Sequence, residues 1–200
     1  MCIRDRAGED GKWLVELPPM KAGGPFEMTV NDIRLKDILV GDVWLCSGQS
    51  NMELTAGRVT DKFAEEIARD ENPMIRYVKI PLGNDLHGPK DDLPGADWMS
   101  LTKETAPSFS ALAYFFAKEM YRETQVPVGI VNSSWGGSSV EAWMSEEALQ
   151  KFPRQLHERD LFNSDEYREL CNRSGQMMNR FWDTALYKGC LLYTSDAADD

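Results

Sequence analysis

The segment Asp42-Val-Trp-Leu-Cys-Ser-Gly-Gln-Ser-Asn-Met-Glu53 decides the fold class of this 200-residue chain. Residues 42–46 are a short, mainly apolar run, which predicts a buried β-strand. The run ends at the glycine-containing turn Ser47-Gly48-Gln49-Ser50. In open α/β sheets, reacting groups lie at the carboxyl ends of the strands, so this turn is a candidate site.

The elements that follow this segment predict a three-layer α/β domain. Residues 74–80 and 126–131 predict two further strands. The apolar run 126–131 is typical of a buried parallel strand. Residues 140–151 predict one helix, and residues 165–186 predict another. The spacing of apolar residues also predicts a helix around Leu112, Phe115, Phe116 and Met120. In the last predicted helix, one face would carry Tyr167, Leu170, Cys171, Ser174 and Met178.

The residues before position 41 have a different character. Apolar and polar residues alternate over 12–17 and again over 26–30, which predicts half-buried strands. The proline- and glycine-rich stretch between them predicts a turn. We therefore expect residues 7–40 to be the last strands of a β-sandwich and 41–189 to be the first part of the α/β domain. Residues 81–110 show little periodicity and predict a long loop that lines a site.

The composition excludes several classes of protein. The chain has 22 basic and 33 acidic residues, a net charge of −11, which argues against a nucleic-acid or anionic-membrane partner. No apolar stretch is long enough to span a bilayer. The four cysteines form no Cys-x-x-Cys pair and only two histidines are present, so we expect neither a metal site nor a cofactor. Cys46 and Cys171 are expected to be buried apolar residues.

The two ends of the chain resemble one foreign DNA element translated from opposite strands. The codons TGT CTC TTA TAC ACA TCT encode Cys-Leu-Leu-Tyr-Thr-Ser, the sequence of residues 190–195. Their reverse complement contains ATG TGT ATA AGA GAC, which encodes the first five residues. We therefore expect residues 1–6 and 190–200 to be a translated sequencing-adapter artefact that does not belong to the fold. The true termini and any signal peptide would then lie outside this sequence.

Ser50 is the main candidate for chemistry. A serine after a strand, with a glycine two residues earlier, can expose its hydroxyl and direct its own N–H toward a developing oxyanion. The alternative is structural, because Ser50 and Glu53 have the spacing of a helix capping box.

A second segment, Asn132-Ser-Ser-Trp-Gly-Gly-Ser-Ser139, also follows a predicted parallel strand. Gly136 and Gly137 would let a bound oxygen approach the backbone, and a following helix would favour negative charge. The segment could therefore hold an oxyanion or a phosphate, although no Gly-Lys-Ser/Thr follows. The alternative is a purely structural role, in which Ser138 and Glu141 cap the following helix.

Together these segments resemble the sialate O-acetylesterase family of SGNH hydrolases, which have a flavodoxin-like fold. The matching blocks are residues 43–53 and 129–145, and the second departs slightly at Ser138-Ser139-Val140. The family also places β-sandwich strands before its hydrolase domain. The resemblance implies a carbohydrate O-acetylesterase whose substrate is an acetylated sugar such as a sialic acid. It implies an α/β fold that is incomplete at its C-terminus in this chain.

The resemblance also implies roles for individual residues. Ser50 would be the nucleophile, and the N–H groups of Ser50, Gly137 and Gly136 would contribute to the oxyanion hole. Residues that would contact substrate are Gln49, Asn51 and Trp135. The family's Asp-x-x-His block, which carries the acid and base, does not occur in this sequence, so we expect the chain alone to be nearly inactive. The two histidines, His87 and His157, are expected to be surface residues.

Other functions stay open at this level. An esterase of acetyl xylan or another plant polysaccharide would have the same motifs. A non-catalytic carbohydrate-binding module would use the aromatic residues, although tryptophans are more often core residues; the candidates are Trp98, Trp135 and Trp143. We expect the parent protein to be periplasmic or secreted.

Overall fold

The structure is a computed structural model that describes residues 8, 9, 11–83 and 95–181. The chain divides into two compact units. The first contains the described residues up to 82 together with 95–138, and the second contains Gly83 and the described residues from 139 onward. The α/β class predicted from the sequence is confirmed, because strands of a mixed sheet alternate with helices along the first unit.

The first unit begins with an antiparallel hairpin of β1 (Gly23–Val30) and β2 (Ile33–Val40). The turn at Asn31 has φ 51°, a left-handed conformation that asparagine tolerates. The strand predicted over 26–30 is confirmed. The strand predicted over 12–17 is wrong, since those residues have no regular secondary structure and Trp13, Leu14 and Leu17 are exposed. Alternation alone does not make a strand, because its backbone needs a hydrogen-bonded neighbour.

A sheet with the strand order β3-β6-β4-β5 forms the centre of this unit. Strand β3 (Asp42–Gly48) runs parallel to β6 (Val128–Ser134), and β6 runs parallel to β4 (Asn72–Lys79). The short strand β5 (Met99–Leu101) is antiparallel to β4. The strands predicted at 42–46, 74–80 and 126–131 are therefore confirmed.

The core lies between this sheet and helix α3 (Ala111–Thr124), the helix predicted around residues 112–120. Ser110 caps α3, because its hydroxyl accepts a hydrogen bond from the Ala113 N–H. Tyr77 of β4 stacks on Phe109 with ring centroids 4.3 Å apart, and its hydroxyl accepts a hydrogen bond from the Ser110 N–H. Burial raises the pKa of Tyr77, so the ring stays neutral.

The predicted burial of the strand at 42–46 is wrong for most of its residues. Only Cys46 is buried, whereas Val43 is 66% and Leu45 is 70% exposed. The reason is that β3 lies at one edge of the sheet within the described residues, and only the face of β3 that points toward α3 is covered. The Trp44 ring packs on that side, edge-on to Phe116 at 5.2 Å.

The long loop predicted over 81–110 is only partly correct. Residues 84–94 lie outside the described residues. The rest contains β5, a 3₁₀ turn at Ala106–Ser108, and the fully buried residues Leu101, Ala106 and Phe109. Sequence reasoning also missed β2, the short α1 (Ser50–Glu53), α2 (Thr60–Arg69) and the helix that spans Pro153–Asn163.

The second unit is helical in its described part. It contains α4 (Glu146–Leu149), α5 (Pro153–Asn163) and α6 (Asp165–Phe181). The helix predicted over 140–151 is wrong as one element: a 3₁₀ turn at Val140–Trp143 is followed by extended backbone, and Ser145 then caps α4. The last helix is confirmed up to residue 181. Cys171 is exposed, so its predicted burial is wrong: no element of the described chain covers that face of α6.

A substitution at Gly41 tests how tightly β3 enters the sheet. The Asp42 N–H donates to the Pro127 carbonyl at 2.9 Å, and a Cβ at Gly41 would lie only 2.0 Å from that carbonyl oxygen. We expect Gly41→Ala to lower the free energy of unfolding by about 1–3 kcal/mol, since β3 and β6 must separate to admit the methyl group. Urea denaturation followed by circular dichroism measures this change. Gly83→Ala is the control, because a Cβ there meets no atom within 4 Å.

Candidate active site

Ser50 lies directly after the carboxyl end of β3, as the sequence predicts. It is the first residue of α1 and is exposed. Gly48, two residues earlier, has φ +150°, a conformation that side chains rarely adopt, and this lets the chain turn from the strand into the helix. The capping alternative is wrong, because the residue that caps α1 is Gln49 and no side chain makes a capping hydrogen bond there. The Ser50 hydroxyl therefore has no structural role in starting this helix.

The second predicted segment lies beside the first, because β3 and β6 are adjacent and Gly48 is in register with Ser134. A Cβ at Gly136 would lie 3.5 Å from both Cα and Cβ of Ser50. Gly137 has φ +79° and is exposed, with no atom within 4 Å of its would-be Cβ. The two loops thus meet where Gly136 packs against Ser50, and the next residue, Gly137, faces open space.

Hydrogen bonds connect the two loops directly. The Trp135 N–H donates to the Gly48 carbonyl at 3.0 Å, and the Gln49 side-chain amide donates to the Ser138 carbonyl. The Gly136 N–H donates to the Glu53 carboxylate at 2.6 Å. We call these three contacts the inter-loop hydrogen bonds. They fix the position of the glycine pair relative to Ser50.

Glu53 and Lys79 are site residues that sequence reasoning missed. The Glu53 carboxylate accepts the Gly136 N–H on one oxygen, and its other oxygen is 3.8 Å from the Lys79 ammonium. The spacing of Glu53 to Ser50 predicts only a capping box. The sequence signal for this pair is the position of Lys79. It is the last residue of β4, so it lies at the carboxyl ends of the strands, as Ser50 does.

Two buried polar side chains lie at the end of β6, where the second loop begins. Asn132 and Ser134 of β6 point toward the core, and the Ser134 hydroxyl donates to the Asn132 side-chain oxygen at 2.7 Å. The Asn132 amide donates to the Cys46 carbonyl at 3.4 Å, which links β6 to β3. Burial raises the pKa of the Cys46 thiol, which fits its predicted role as a buried apolar residue and disfavours the reactive thiolate.

The capping box predicted for Ser138 and Glu141 is wrong. The Ser138 hydroxyl donates to the Trp135 carbonyl at 2.7 Å, within its own loop. Glu141 instead accepts hydrogen bonds from its own backbone N–H and from the Ser139 side chain, and these lower the pKa of its carboxyl group. Ser138 therefore closes the turn that presents Gly136 and Gly137.

The remaining candidates occupy varied environments. Asn51 is exposed on α1 and Trp135 is half-buried. Trp98 and Trp143 are exposed, so the expectation that they belong to the core is wrong. His157 is a surface residue as predicted, and His87 lies outside the described residues. In the described part of the chain, no group of three or more His, Cys, Asp or Glu could hold a metal ion, and no helix is long and apolar enough to cross a membrane.

Comparison with known proteins adds to this geometry. Residues 40–197 match the family described as carbohydrate esterase, sialic acid-specific acetylesterase. The chain belongs to this family. The matched range includes both loops and Lys79.

Individual relatives agree with the family match. The chain is 36% identical to the sialate O-acetylesterase of Rattus norvegicus over 159 residues, which cover 72% of this chain and 29% of that protein. It is 35% identical to the human sialate O-acetylesterase over 156 residues, 69% of this chain and 29% of that protein. The chain thus spans less than a third of the length of these relatives.

A solved structure is also similar. A carbohydrate acetylesterase from Xanthomonas citri aligns with a TM-score of 0.66 and 40% identity. The alignment covers 70% of this chain and 33% of that protein. The family, the relatives and this structure all identify carbohydrate esterases as the class of protein to which this chain belongs.

Proposed function

We propose that this chain carries the nucleophile and part of the oxyanion hole of an enzyme that removes acetyl groups from sugars. The observation that supports the proposal most strongly is the meeting of Ser50 with the Gly136–Gly137 turn at the carboxyl end of adjacent parallel strands. An exposed hydroxyl beside backbone N–H groups is the arrangement that acyl transfer requires. The names of the relatives point to the same reaction.

In the proposed reaction, the Ser50 hydroxyl oxygen attacks the acetyl carbonyl carbon. The carbonyl oxygen becomes an oxyanion, which accepts hydrogen bonds from the N–H groups of Ser50 and Gly137. The Gly136 N–H is already bound to Glu53, so we assign Gly136 to close packing against Ser50 and Gly137 to donation. The sugar oxygen leaves with a proton, and water then hydrolyses the acetyl-serine to release acetate.

Ser50 needs a base to accept its proton, because serine at its ordinary pKa is a weak nucleophile. The sequence supplies no Asp-x-x-His block, and His157 is a surface residue of the second unit. We propose that the base and its acidic partner come from the remaining length that the relatives possess and this chain lacks. The proposed activity therefore belongs to a longer protein that carries this chain.

The chain alone is expected to hydrolyse acetate esters very slowly. Loss of triad members typically removes most of the rate, and only oxyanion and binding contributions persist. The measurement is turnover of 4-nitrophenyl acetate by the purified chain and by its Ser50→Ala variant. Turnover that depends on Ser50 and reaches the ordinary enzyme range of about 1–10³ per second would show that a base is present, contrary to this proposal.

The acetylated sugar is the finer part of the proposal. We propose sialic acids, because the matched family and the mammalian relatives carry that name. The longer protein should release acetate from 9-O-acetyl-N-acetylneuraminic acid at a higher kcat/KM than from acetylated xylan. The reverse order would support the polysaccharide esterase. Turnover of the sialic acid ester that persists after Ser50→Ala would contradict the nucleophile assignment itself.

A further inference from the structure

A cavity of about 300 Å³ lies at the opposite end of the strands from Ser50. Its wall includes the first residues of β3 and β6, the C-terminal part of β2, and Trp98. Strand β3 is seven residues long, so the cavity is about 20 Å from Ser50 at 3.3 Å per residue. The proposed acetylesterase chemistry makes no use of this cavity.

The indole of Trp98 forms one wall of this cavity. It is 50% exposed although it lies over the sheet, where a Cβ at Gly129 would be 3.3 Å from the ring. Glycine at position 129 therefore lets the ring lie close to the strand, and the other part of the ring is left open. A half-exposed flat aromatic ring in a concave wall is suited to the apolar C–H face of a sugar ring.

An unusual backbone conformation brings a carboxylate to the same cavity. Asp37 has φ 60°, which is uncommon for a residue other than glycine, and it occurs where the β1–β2 register shifts by one residue. Such bulges redirect a side chain, and strained positions cluster at binding sites. Here the Asp37 carboxylate accepts hydrogen bonds from Nη2 of Arg76 on both oxygens, each at 2.7 Å.

The charges around the cavity indicate the kind of ligand. Among the described residues, the charged ones that line it are Asp37, Asp42 and Arg76, so carboxylates outnumber cations there. The Arg76 side chain is largely buried and pairs with Asp37, which leaves it unsuited to bind the carboxylate of a ligand. Carboxylate oxygens accept hydrogen bonds from hydroxyl groups. The rim therefore favours neutral, hydroxyl-rich molecules over acidic ones.

We propose that this Trp98 cavity is a second, non-catalytic carbohydrate site that binds one neutral pyranose ring. The volume is at the lower end of the range for ligand pockets, which is about 300–1,000 Å³, so a single ring fits better than an oligosaccharide. The ring stacks on Trp98, and its hydroxyls donate to Asp42 and Asp37. This site does not depend on Ser50 or on the proposed ester hydrolysis.

Sugar titration of the whole 200-residue chain tests the proposal. The probes are methyl β-D-galactopyranoside and methyl α-D-glucopyranoside, with N-acetylneuraminic acid as the acidic comparison. The readout is the indole N–H resonance of Trp98 in ¹H–¹⁵N spectra, which is assigned by its loss in Trp98→Phe. We expect a saturable shift with a millimolar Kd for at least one neutral sugar and a weaker response to the acid.

Variants separate this site from unspecific binding. Trp98→Ala should weaken binding by about tenfold or more, because the stacking surface is lost. Since this variant has no Trp98 indole resonance, its binding is followed by the backbone amide resonance of Gly129, which also lines the cavity. Trp13→Ala is the matched control, since Trp13 is also exposed and does not line the cavity, and it should bind as the parent does. Asp42→Ala keeps the aromatic wall and should weaken binding severalfold, which covers the case in which Trp98→Ala fails to fold.

Several outcomes would overturn the proposal. They are the absence of a saturable shift up to about 100 mM neutral sugar, an equal loss of binding in Trp13→Ala, and tighter binding of the acidic sugar. The proposal would also be overturned if the Trp98 resonance shifts with protein concentration but does not change when sugar is added. That result would make the cavity a contact between copies of this chain.

Discussion

Replacement of Ser50 by alanine should lower kcat/KM for an acetylated sugar by about 10⁴-fold or more in a longer protein that carries this chain. The exposed hydroxyl at the end of β3 is the proposed attacking atom, and α1 forms without any capping bond from it. Removal of a nucleophile leaves only the rate that oxyanion donors and binding provide. Acetate release, measured with the serine and alanine forms at equal concentration, gives the ratio.

Ser47→Ala is the matched control for this experiment. Ser47 lies in β3, directly before the same turn; it is exposed and is paired in register with Ser133 of β6. Its hydroxyl is not part of the proposed mechanism, so kcat/KM should change less than about threefold and the thermal midpoint of both variants should match the parent. An equal loss of activity in the two variants would mean that the turn, and not the Ser50 hydroxyl, is what the reaction needs.

The elements that sequence reasoning predicted correctly share a simple physical basis. Strand β6 is buried along one face and α3 packs against it, so each shows a strong apolar pattern in the sequence. Such patterns come from burial and can be recognised locally. Ser50 was found for a related reason, because a glycine-containing turn after an apolar strand is a local signal.

The wrong predictions concern properties that neighbours in space determine. Residues 12–17 alternate as a strand would, yet the hairpin pairs β1 with β2 and leaves them irregular. Residues 140–151 have helical spacing, yet Ser145 offers a second cap that divides the segment. Local patterns do not reveal which partner a strand finds or which cap a helix uses.

The missing parts of the site have the same origin. Glu53 has the right spacing for a capping box, and only the approach of β6 shows that its carboxylate binds the Gly136 N–H instead. Lys79 comes from a third strand. A hydrogen bond between residues 53 and 136 depends on strand order, which a single sequence does not determine.

A methyl group at Gly136 should disturb the site, because this glycine, unlike Gly137, has no open space for a Cβ. The Cβ of Gly136→Ala would lie 2.8 Å from the nearer Glu53 oxygen and 3.5 Å from Ser50 Cα. Since 2.8 Å is closer than a carbon and an oxygen can approach, Glu53 or the loop must move, and the Gly136 N–H loses its acceptor. In a longer protein that carries this chain, we expect kcat/KM for an acetylated sugar to fall by about 10²-fold, because small displacements of reacting groups have effects of this size.

Two readouts distinguish displacement of the loop from general unfolding. In the 200-residue chain, Gly136→Ala should shift the backbone amide resonances of residue 136 and of Ser50, while those of α3 stay unchanged. Gly175→Ala in α6 is the control, because a Cβ there meets no atom within 4 Å and alanine favours a helix. If Gly136→Ala keeps full activity and unshifted amide resonances, the contact between Glu53 and the glycine turn does not hold the catalytic geometry.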